Sequence, residues 1–354
     1  MKVAMLGWEF SEKTGGLGTH CFNLSNSLSK KAEIHFLSPG KSSYTKDNLS
    51  VYGLDVDKEY HLSNEFTESA MKILKKKKFD VVHAHDWVTV PAALKAGELF
   101  NRPIVFTIHS LEYMRSESPN MQIESLEKSA CIEADRIITV SKGMRDAIVK
   151  HYKISKNKID VIYNSVTKKT IPKTKKTGKR VLFTSRLTKQ KGPEYLLLAA
   201  KKILENNDAE FILVGDGHLL ESLKKFSAML GIDKKVSFAG FVTDKKLAEY
   251  YSSSDIFVQP SIHEPFGITI LEAASFGLPI VTTDAGALEI LRGGYLKARK
   301  CSSQSLANKI EALLSNSNLR KELSEEALKS IEIIPTWDDI AMETISTYNS
   351  VISS

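Results

Sequence analysis

The sequence predicts an α/β protein of two Rossmann-like, doubly wound domains, each a parallel sheet covered by helices. Two observations carry this reading. Short apolar, β-branched runs alternate with helix-length amphipathic segments, and the alternation runs through both halves of the chain. Between the halves lies V-T-K-K-T-I-P-K-T-K-K-T-G-K (166–179), which has lysines but no acid and reads as a solvated linker.

In the first half the expected strands are Val3–Leu6, Ile34–Leu37, Val81–Ala84, Ile104–Thr107, Ile137–Val140 and Val161–Tyr163. In the second they are Val181–Thr184, Phe211–Val214, Val236–Phe238, Ile256–Gln259 and Pro279–Thr282. The domains are placed at 1–165 and 180–335, facing each other across a cleft that suits two substrates. Residues 336–354 form a closing helix, whose Trp337, Ile340, Ile345 and Tyr348 make an apolar stripe for packing back on the first domain. Ligands of open parallel sheets bind beyond the C-terminal strand ends. The chain obeys this, with Gly15-Gly16 after the first strand, His109 after the fourth and Arg186 after the first strand of the second domain.

Composition narrows the class. The 354 residues are 42% hydrophobic and 26% charged, as in a soluble globular protein. No run approaches the ~18 apolar residues of a membrane helix. The N-terminus lacks a signal-peptide pattern, and Cys21, Cys131 and Cys301 are scattered without C-x-x-C pairing. A cytoplasmic protein with reduced thiols is expected. The net charge of +7 is concentrated in the linker, with +3 over 1–165, +6 over 166–179 and −2 over 180–354. A charge gathered there argues against nucleic-acid binding. A second basic run, Lys75 to Lys78, ends a helix expected over about 64–78. It either complements that helix's dipole or touches anionic lipid, which would make the protein membrane-associated.

The chemistry converges on S-R-L-T-K-Q-K-G (185–192) and H-E-P-F-G-I-T-I-L-E (263–272). Arg186 and Lys191 can neutralise a diphosphate, one as a planar fork and one as a point charge. Glu264 and Glu272 flank an expected helix start, where backbone amides favour phosphate and carboxylates can accept from sugar hydroxyls. Glu272 lies in an otherwise apolar helix and needs polar partners. Gly15 and Gly16 let a ligand approach the backbone, since no Cβ intervenes. His83 and His85 at i, i+2 raise a metal pair, but no third ligand is evident and no metal is expected.

The chain resembles the retaining GT-B glycosyltransferases, in family 4 and the glycogen-synthase-like group. The resemblance spans the whole chain and rests on an ordered set of motifs. In the first domain these are Lys13-Thr-Gly-Gly-Leu-Gly18, His83-Ala-His-Asp-Trp87, Thr107-Ile-His109, Val140-Ser-Lys-Gly143 and Tyr163-Asn-Ser-Val166. In the second they are Ser185-Arg-Leu-x-x-x-Lys191-Gly, Val214-Gly-Asp-Gly217 and Glu264-Pro-Phe-Gly with Glu272. It implies a metal-independent hexosyltransferase without a cofactor, moving a hexose from a nucleoside-diphosphate sugar to a glucan or other glycan acceptor. Arg186 and Lys191 would clamp the diphosphate. Glu264 and His109 would meet the transferred sugar, and Glu272 the ribose. Lys13, Gly15, Gly16 and the amides of Phe266, Gly267, Ile268 and Thr269 would complete the donor site. Phe241 and Val242 would lie by the base, and Asp86 by the acceptor.

K-T-G-G-L-G and H-A-H-D-W lean toward glucose donors and glucan acceptors. The alternative is a family 4 enzyme acting on a lipid or cell-surface glycan at the membrane. An epimerase and a non-catalytic sugar-nucleotide-binding protein are lesser rivals. A dehydrogenase would want G-x-G-x-x-G after the first strand and an acid after the second, and the chain offers G-G-L-G and H-F-L-S-P-G. Gly40-Lys41-Ser42 lacks the glycine five residues before Gly40 that a P-loop needs.

Overall fold

The computed structural model describes residues 1–11, 15–56, 64–167, 171, 174 and 178–353. Lys13 and most of the linker expected at 166–179 lie outside the described residues. The chain divides into two compact units, one of residues 1–164 with 335–354 and the other of residues 165–334.

The first unit is built on strands β1 (Lys2–Leu6), β2 (Glu33–Pro39), β3 (Tyr44–Lys46), β4 (Leu49–Leu54), β5 (Val81–His85), β6 (Ile104–Ile108), β7 (Arg136–Thr139) and β8 (Ile159–Val161). They are ordered β3-β4-β2-β1-β5-β6-β7-β8. The pairs from β4 to β8 are parallel, and the β3–β4 edge is antiparallel. Helices α1 (Gly15–Leu28), α2 (Asn64–Leu74), α3 (Val90–Phe100), α4 (Glu112–Arg115), α5 (Met121–Glu133) and α6 (Lys142–Tyr152) connect them. The central strands are apolar on both faces because helices cover both sides.

Three expectations shift here. The β3–β4 hairpin was not foreseen; β3 is wholly exposed and polar, and Asp47 at φ 51° makes the turn. β8 lies two residues earlier than expected. α2 ends at Leu74 rather than near 78, because the Lys76 and Lys77 amides bond Ile73 and Leu74 in a tightened last turn. A run of four lysines offers no apolar residue to hold that turn on the core.

The second unit holds β9 (Arg180–Thr184), β10 (Glu210–Val214), β11 (Val236–Gly240), β12 (Ile256–Gln259), β13 (Ile280–Thr282) and β14 (Tyr295–Lys297), ordered β11-β10-β9-β12-β13-β14. This is the 3-2-1-4-5-6 order of dinucleotide-binding sheets, with its switch point between β9 and β12. Helices α7 (Pro193–Leu204), α8 (Leu220–Met229), α9 (Asp244–Ser253), α10 (Ile268–Ser275), α11 (Ser303–Ser315) and α12 (Ser317–Ile333) pack around it.

The last helix, α13 (Trp337–Ile352), returns to the first unit and packs on α1. Its start is fixed by a capping box between Thr336 and Asp339. Trp337, Ile340, Ala341 and Tyr348 join the core formed by Val3, Leu24 and Ile34.

Candidate functional site

In the second unit the strand order decides where the chemistry sits. The loops after β9 and β12 leave the sheet side by side at the switch point, bringing Lys191 against Glu264. The Lys191 Nζ donates to Glu264 Oε1 at 3.0 Å and Oε2 at 2.8 Å. Ser261 Oγ and Gln259 Nε2 also donate to Glu264, at 3.0 and 3.2 Å. Arg186, by contrast, is exposed, and its guanidinium has no ion-pair partner among the described residues. The turn carrying it rests on V-G-D-G. Gly215 has φ 133°, and a Cβ there would fall 1.9 Å from the Ser185 carbonyl. Leu187 donates its amide to Asp216 at 2.8 Å.

Gly267, at φ 96°, is the N-cap of α10. The amides of Gly267, Ile268 and Thr269 belong to that helix's first turn, which has no acceptors of its own. Glu272 follows one turn later. Its Oε2 accepts from Tyr251 Oη at 2.9 Å, and Tyr251 Oη lies 2.7 Å from Thr184 Oγ1 at the end of β9. Burial first, and then the nearby Glu272 carboxylate, push the Tyr251 phenol well above its ordinary value. It stays protonated, and with its one hydrogen on Glu272 the Thr184 hydroxyl is the donor of the second bond. With Glu272 at the ribose of a sugar nucleotide, as the resemblance implies, Tyr251→Phe is expected to raise the KM for that ligand about three- to tenfold while changing kcat less, since one hydrogen bond of about 1 kcal/mol is lost. Equal falls in kcat and kcat/KM would contradict this. Phe241, 64% exposed, and Val242 lie past the end of β11, two strands from β9.

The first unit gathers its groups in the same way. Gly15, at φ 66°, and Gly16 open α1, and a Cβ on Gly16 would meet nothing within 4 Å. Asp86, just past β5, holds φ 58°, ψ 168°, a conformation natural to glycine. Its Oδ1 accepts the His109 amide at 2.8 Å, and its own amide bonds Thr107 at 3.0 Å. Asp86 thus clips the chain beyond β6 and fixes where His109 stands.

The two histidines of H-A-H separate in role. His83 is buried between Tyr348 Oη and Thr107 Oγ1, each 2.6 Å from a ring nitrogen. His85 joins His20 and His109 instead. His85 Nδ1 is 3.2 Å from His109 Nε2, and His20 packs edge-on against His109 with centroids 4.4 Å apart. The cluster differs from the His83–His85 pair that the sequence raised: His20, His85 and His109 each offer a ligand nitrogen, all within 4.8 Å, and His83 is not among them. Burial lowers the His109 pKa to about 3, so its ring is neutral near pH 7.

The segment after His109 is tied down by Glu127 on α5. Glu127 accepts the Glu112 amide at 3.1 Å, Arg115 at 3.0 Å and Tyr152 Oη at 2.6 Å. Arg115 also reaches Glu112 and Ser110, both at 3.0 Å. Burial pushes Glu127 up to about 7 despite these donors. A carboxyl raised in the folded state gives stability that is full below about pH 4.5 and is lost as pH rises through about 7. Relative to Glu127→Gln, wild-type protein should lose up to about 3 kcal/mol between pH 5 and pH 8, read from urea midpoints at both pH values. Parallel changes in the two proteins would refute this.

Tyr251, Thr184, His20 and Glu127 escape a sequence reading because each meets its partner only through the fold, whereas Gln259 and Ser261 reach Glu264 from five and three residues away. A polar residue at the end of an apolar strand, as Thr184 and Gln259 are, is the one signal that points to them.

Comparison with known proteins identifies the family. Residues 14–169 match the profile described as Glycosyltransferase Family 4, and residues 166–330 that of Glycosyl transferases group 1. An uncharacterized glycosyltransferase of Methanocaldococcus jannaschii is 31% identical, with 98% of each chain covered. A glycogen synthase of Mycobacterium tuberculosis is 25% identical over 98% of this chain and 94% of its own. The solved sucrose-phosphate synthase of Thermosynechococcus elongatus superposes with a TM-score of 0.89 at 18% identity, over 100% of this chain and 99% of that one. Paired Rossmann-like units, a strand order with its switch point at the Lys191–Glu264 pair, and end-to-end similarity lead to one assignment: the chain belongs to the family 4 glycosyltransferases of the GT-B fold.

Proposed function

We propose that the protein is a retaining hexosyltransferase that moves a hexose, glucose in the reading preferred here, from a nucleoside-diphosphate sugar to a hydroxyl of a glucan. The observation that carries this is the Lys191–Glu264 pair beside the α10 N-terminus, with the Tyr251-held Glu272 one turn further on. Cation and helix amides suit a diphosphate, and the two carboxylates suit the hydroxyls on either side of it. The relative named as a glycogen synthase supports a glucan acceptor.

In this reading the bond from the anomeric carbon to the diphosphate oxygen breaks, and the acceptor oxygen bonds that carbon on the same face. The acceptor's proton passes to the departing diphosphate. Arg186 and Lys191 stabilise the charge that grows there, so no metal is required. Glu264 serves as a sugar ligand: a carboxylate already holding Lys191, Ser261 and Gln259 is poorly placed to be a nucleophile. His109, neutral and fixed by Asp86, orients the sugar, while Gly15 and Gly16 receive phosphate. Lys13 adds charge there, Phe241 and Val242 border the base, and Asp86 adjoins the acceptor.

The second reading, transfer to a lipid or surface glycan at a membrane, is favoured by the exposed Lys75, Lys76 and Lys78. No helix among the described residues is long and apolar enough to cross a membrane, so contact would be peripheral.

A thermal-shift panel of ADP-, UDP- and GDP-sugars with NAD as control tests the proposal. Ligand at a hundredfold excess over Kd stabilises by about 2.7 kcal/mol. A shift with one sugar nucleotide identifies the donor; a shift with NAD alone refutes the reading. Transfer to glucan or to lipid acceptor in vesicles then separates the two acceptors.

A further inference from the structure

We propose that His20, His85 and His109 form a binding site for one divalent transition-metal ion of the zinc class, and that the bound ion inhibits transfer. The three ligand nitrogens lie within 4.8 Å of one another, carried by α1 and by the ends of β5 and β6. For nitrogens about 2.0–2.1 Å from a tetrahedral ion, neighbouring ligands stand about 3.3 Å apart. The 3.2 Å between His85 Nδ1 and His109 Nε2, a hydrogen bond between the two rings, already has that value, and an ion there requires the donor ring to carry its hydrogen on its other nitrogen. A shift of roughly 0.7 Å or less by each nitrogen closes the widest separation around an ion with this bond length.

Protonation and packing fit the same role. His20 Nδ1 lies 2.6 Å from Asn164 Oδ1, which can only accept, so Nδ1 carries the hydrogen and Nε2 presents a lone pair. An outer hydrogen bond of this kind orients metal-bound imidazoles. Among the described residues His20 Nε2 is buried without a hydrogen-bond partner, so its lone pair is free to take a further group. An all-imidazole set selects zinc, cobalt, nickel or copper over magnesium and calcium, which prefer oxygen.

The inhibitory half rests on the proposed function: an ion on His109 takes the ring that would otherwise orient the donor sugar. The binding half stands without it.

The test uses the full chain, stripped with a chelator and titrated with Co2+ while visible absorption is followed. The expected result is one equivalent bound with tetrahedral d–d bands, displaced by Zn2+. His20→Gln and His85→Gln should each weaken binding at least about tenfold, with circular dichroism confirming the fold. Imidazole NMR of wild-type protein needs no variant, and Zn2+ should move the His20, His85 and His109 resonances. No d–d bands, or shifts confined to His151, His218 or His263, would overturn the site. In donor-hydrolysis assays Zn2+ should inhibit wild-type protein at least tenfold more than His20→Gln, each against its own metal-free rate. Equal inhibition, or none, overturns the inhibitory role. Absence of any sugar-nucleotide shift would remove the proposed function and leave the Co2+ result standing.

Discussion

Lys191→Ala is expected to lower kcat for transfer by about a hundred- to a thousandfold, the range for removing one oriented group that stabilises a developing anion. The ammonium lies 2.8 Å from Glu264, with side chains only 16% and 6% exposed. Its removal leaves a carboxylate that keeps Ser261 and Gln259 but loses its cation, at a stability cost of about 1–3 kcal/mol. Activity and stability therefore fall together, and two further variants separate them. Arg186→Ala removes an exposed cation that has no ion-pair partner among the described residues, and should lower activity with stability nearly unchanged. The double variant Lys191→Ala/Glu264→Gln should recover stability, because the uncompensated charge is gone, while activity stays low. Urea midpoints and single-turnover rates on all four proteins check this. A folded Lys191→Ala with wild-type kcat would sink the assignment of the diphosphate clamp.

That prediction could be framed from sequence in outline, since S-R-L-T-K-Q-K-G and H-E-P-F-G stand as contiguous motifs. What the sequence did not show is that Lys191 and Glu264 hold each other, 73 residues apart. The same division runs through the fold. Central parallel strands such as β1, β9 and β12 are buried on both faces and read as short apolar runs. β3 pairs at an edge with exposed, polar residues, so no apolar pattern announces it; β4 does alternate, with Leu49, Val51 and Leu54 buried, and the Asp47-Asn48 turn joins the two. β14, Tyr295–Lys297, is likewise short and only partly buried.

Long-range polar pairing is hardest to read. His85 is legible as a histidine at a strand end and His20 as one within a helix, yet only the sheet order carries α1 over β5. Tyr251 looks like a core aromatic at helical spacing, and it is one, but its hydroxyl serves Glu272. Hydrophobic periodicity reports which face is buried. It carries no information about which buried hydroxyl or imidazole lies opposite, because that depends on register between elements far apart in the chain.

The division into units makes a second strong prediction: residues 165–334 should fold alone with a cooperative transition, and residues 1–164 should not. The second unit is continuous in sequence and keeps its whole core. The first unit lacks α13 in such a fragment, and with it Trp337, Ile340 and Tyr348, which bury into the same core as Val3, Leu24 and Ile34. At about 1.5–3 kcal/mol for each large apolar side chain, the loss is roughly 5–9 kcal/mol. Domains of this kind have only about 5–15 kcal/mol in total.

The gap is polar as well as apolar. Without Tyr348 Oη, His83 Nδ1 at the middle of the sheet has no partner, and the His83–Thr107 bond loses its support. Fragment 1–164 should then bind a hydrophobic dye and lack a sharp melting transition, and added peptide 335–354 should restore one. Full-length Tyr348→Phe keeps the ring and isolates the polar part, with an expected loss of about 1–3 kcal/mol. Tyr348→Ala removes the ring too, for about 3–5 kcal/mol. A cooperative transition in fragment 1–164 alone would mean that the sheet and its own six helices suffice, and that α13 is an addition to the first unit rather than part of its core.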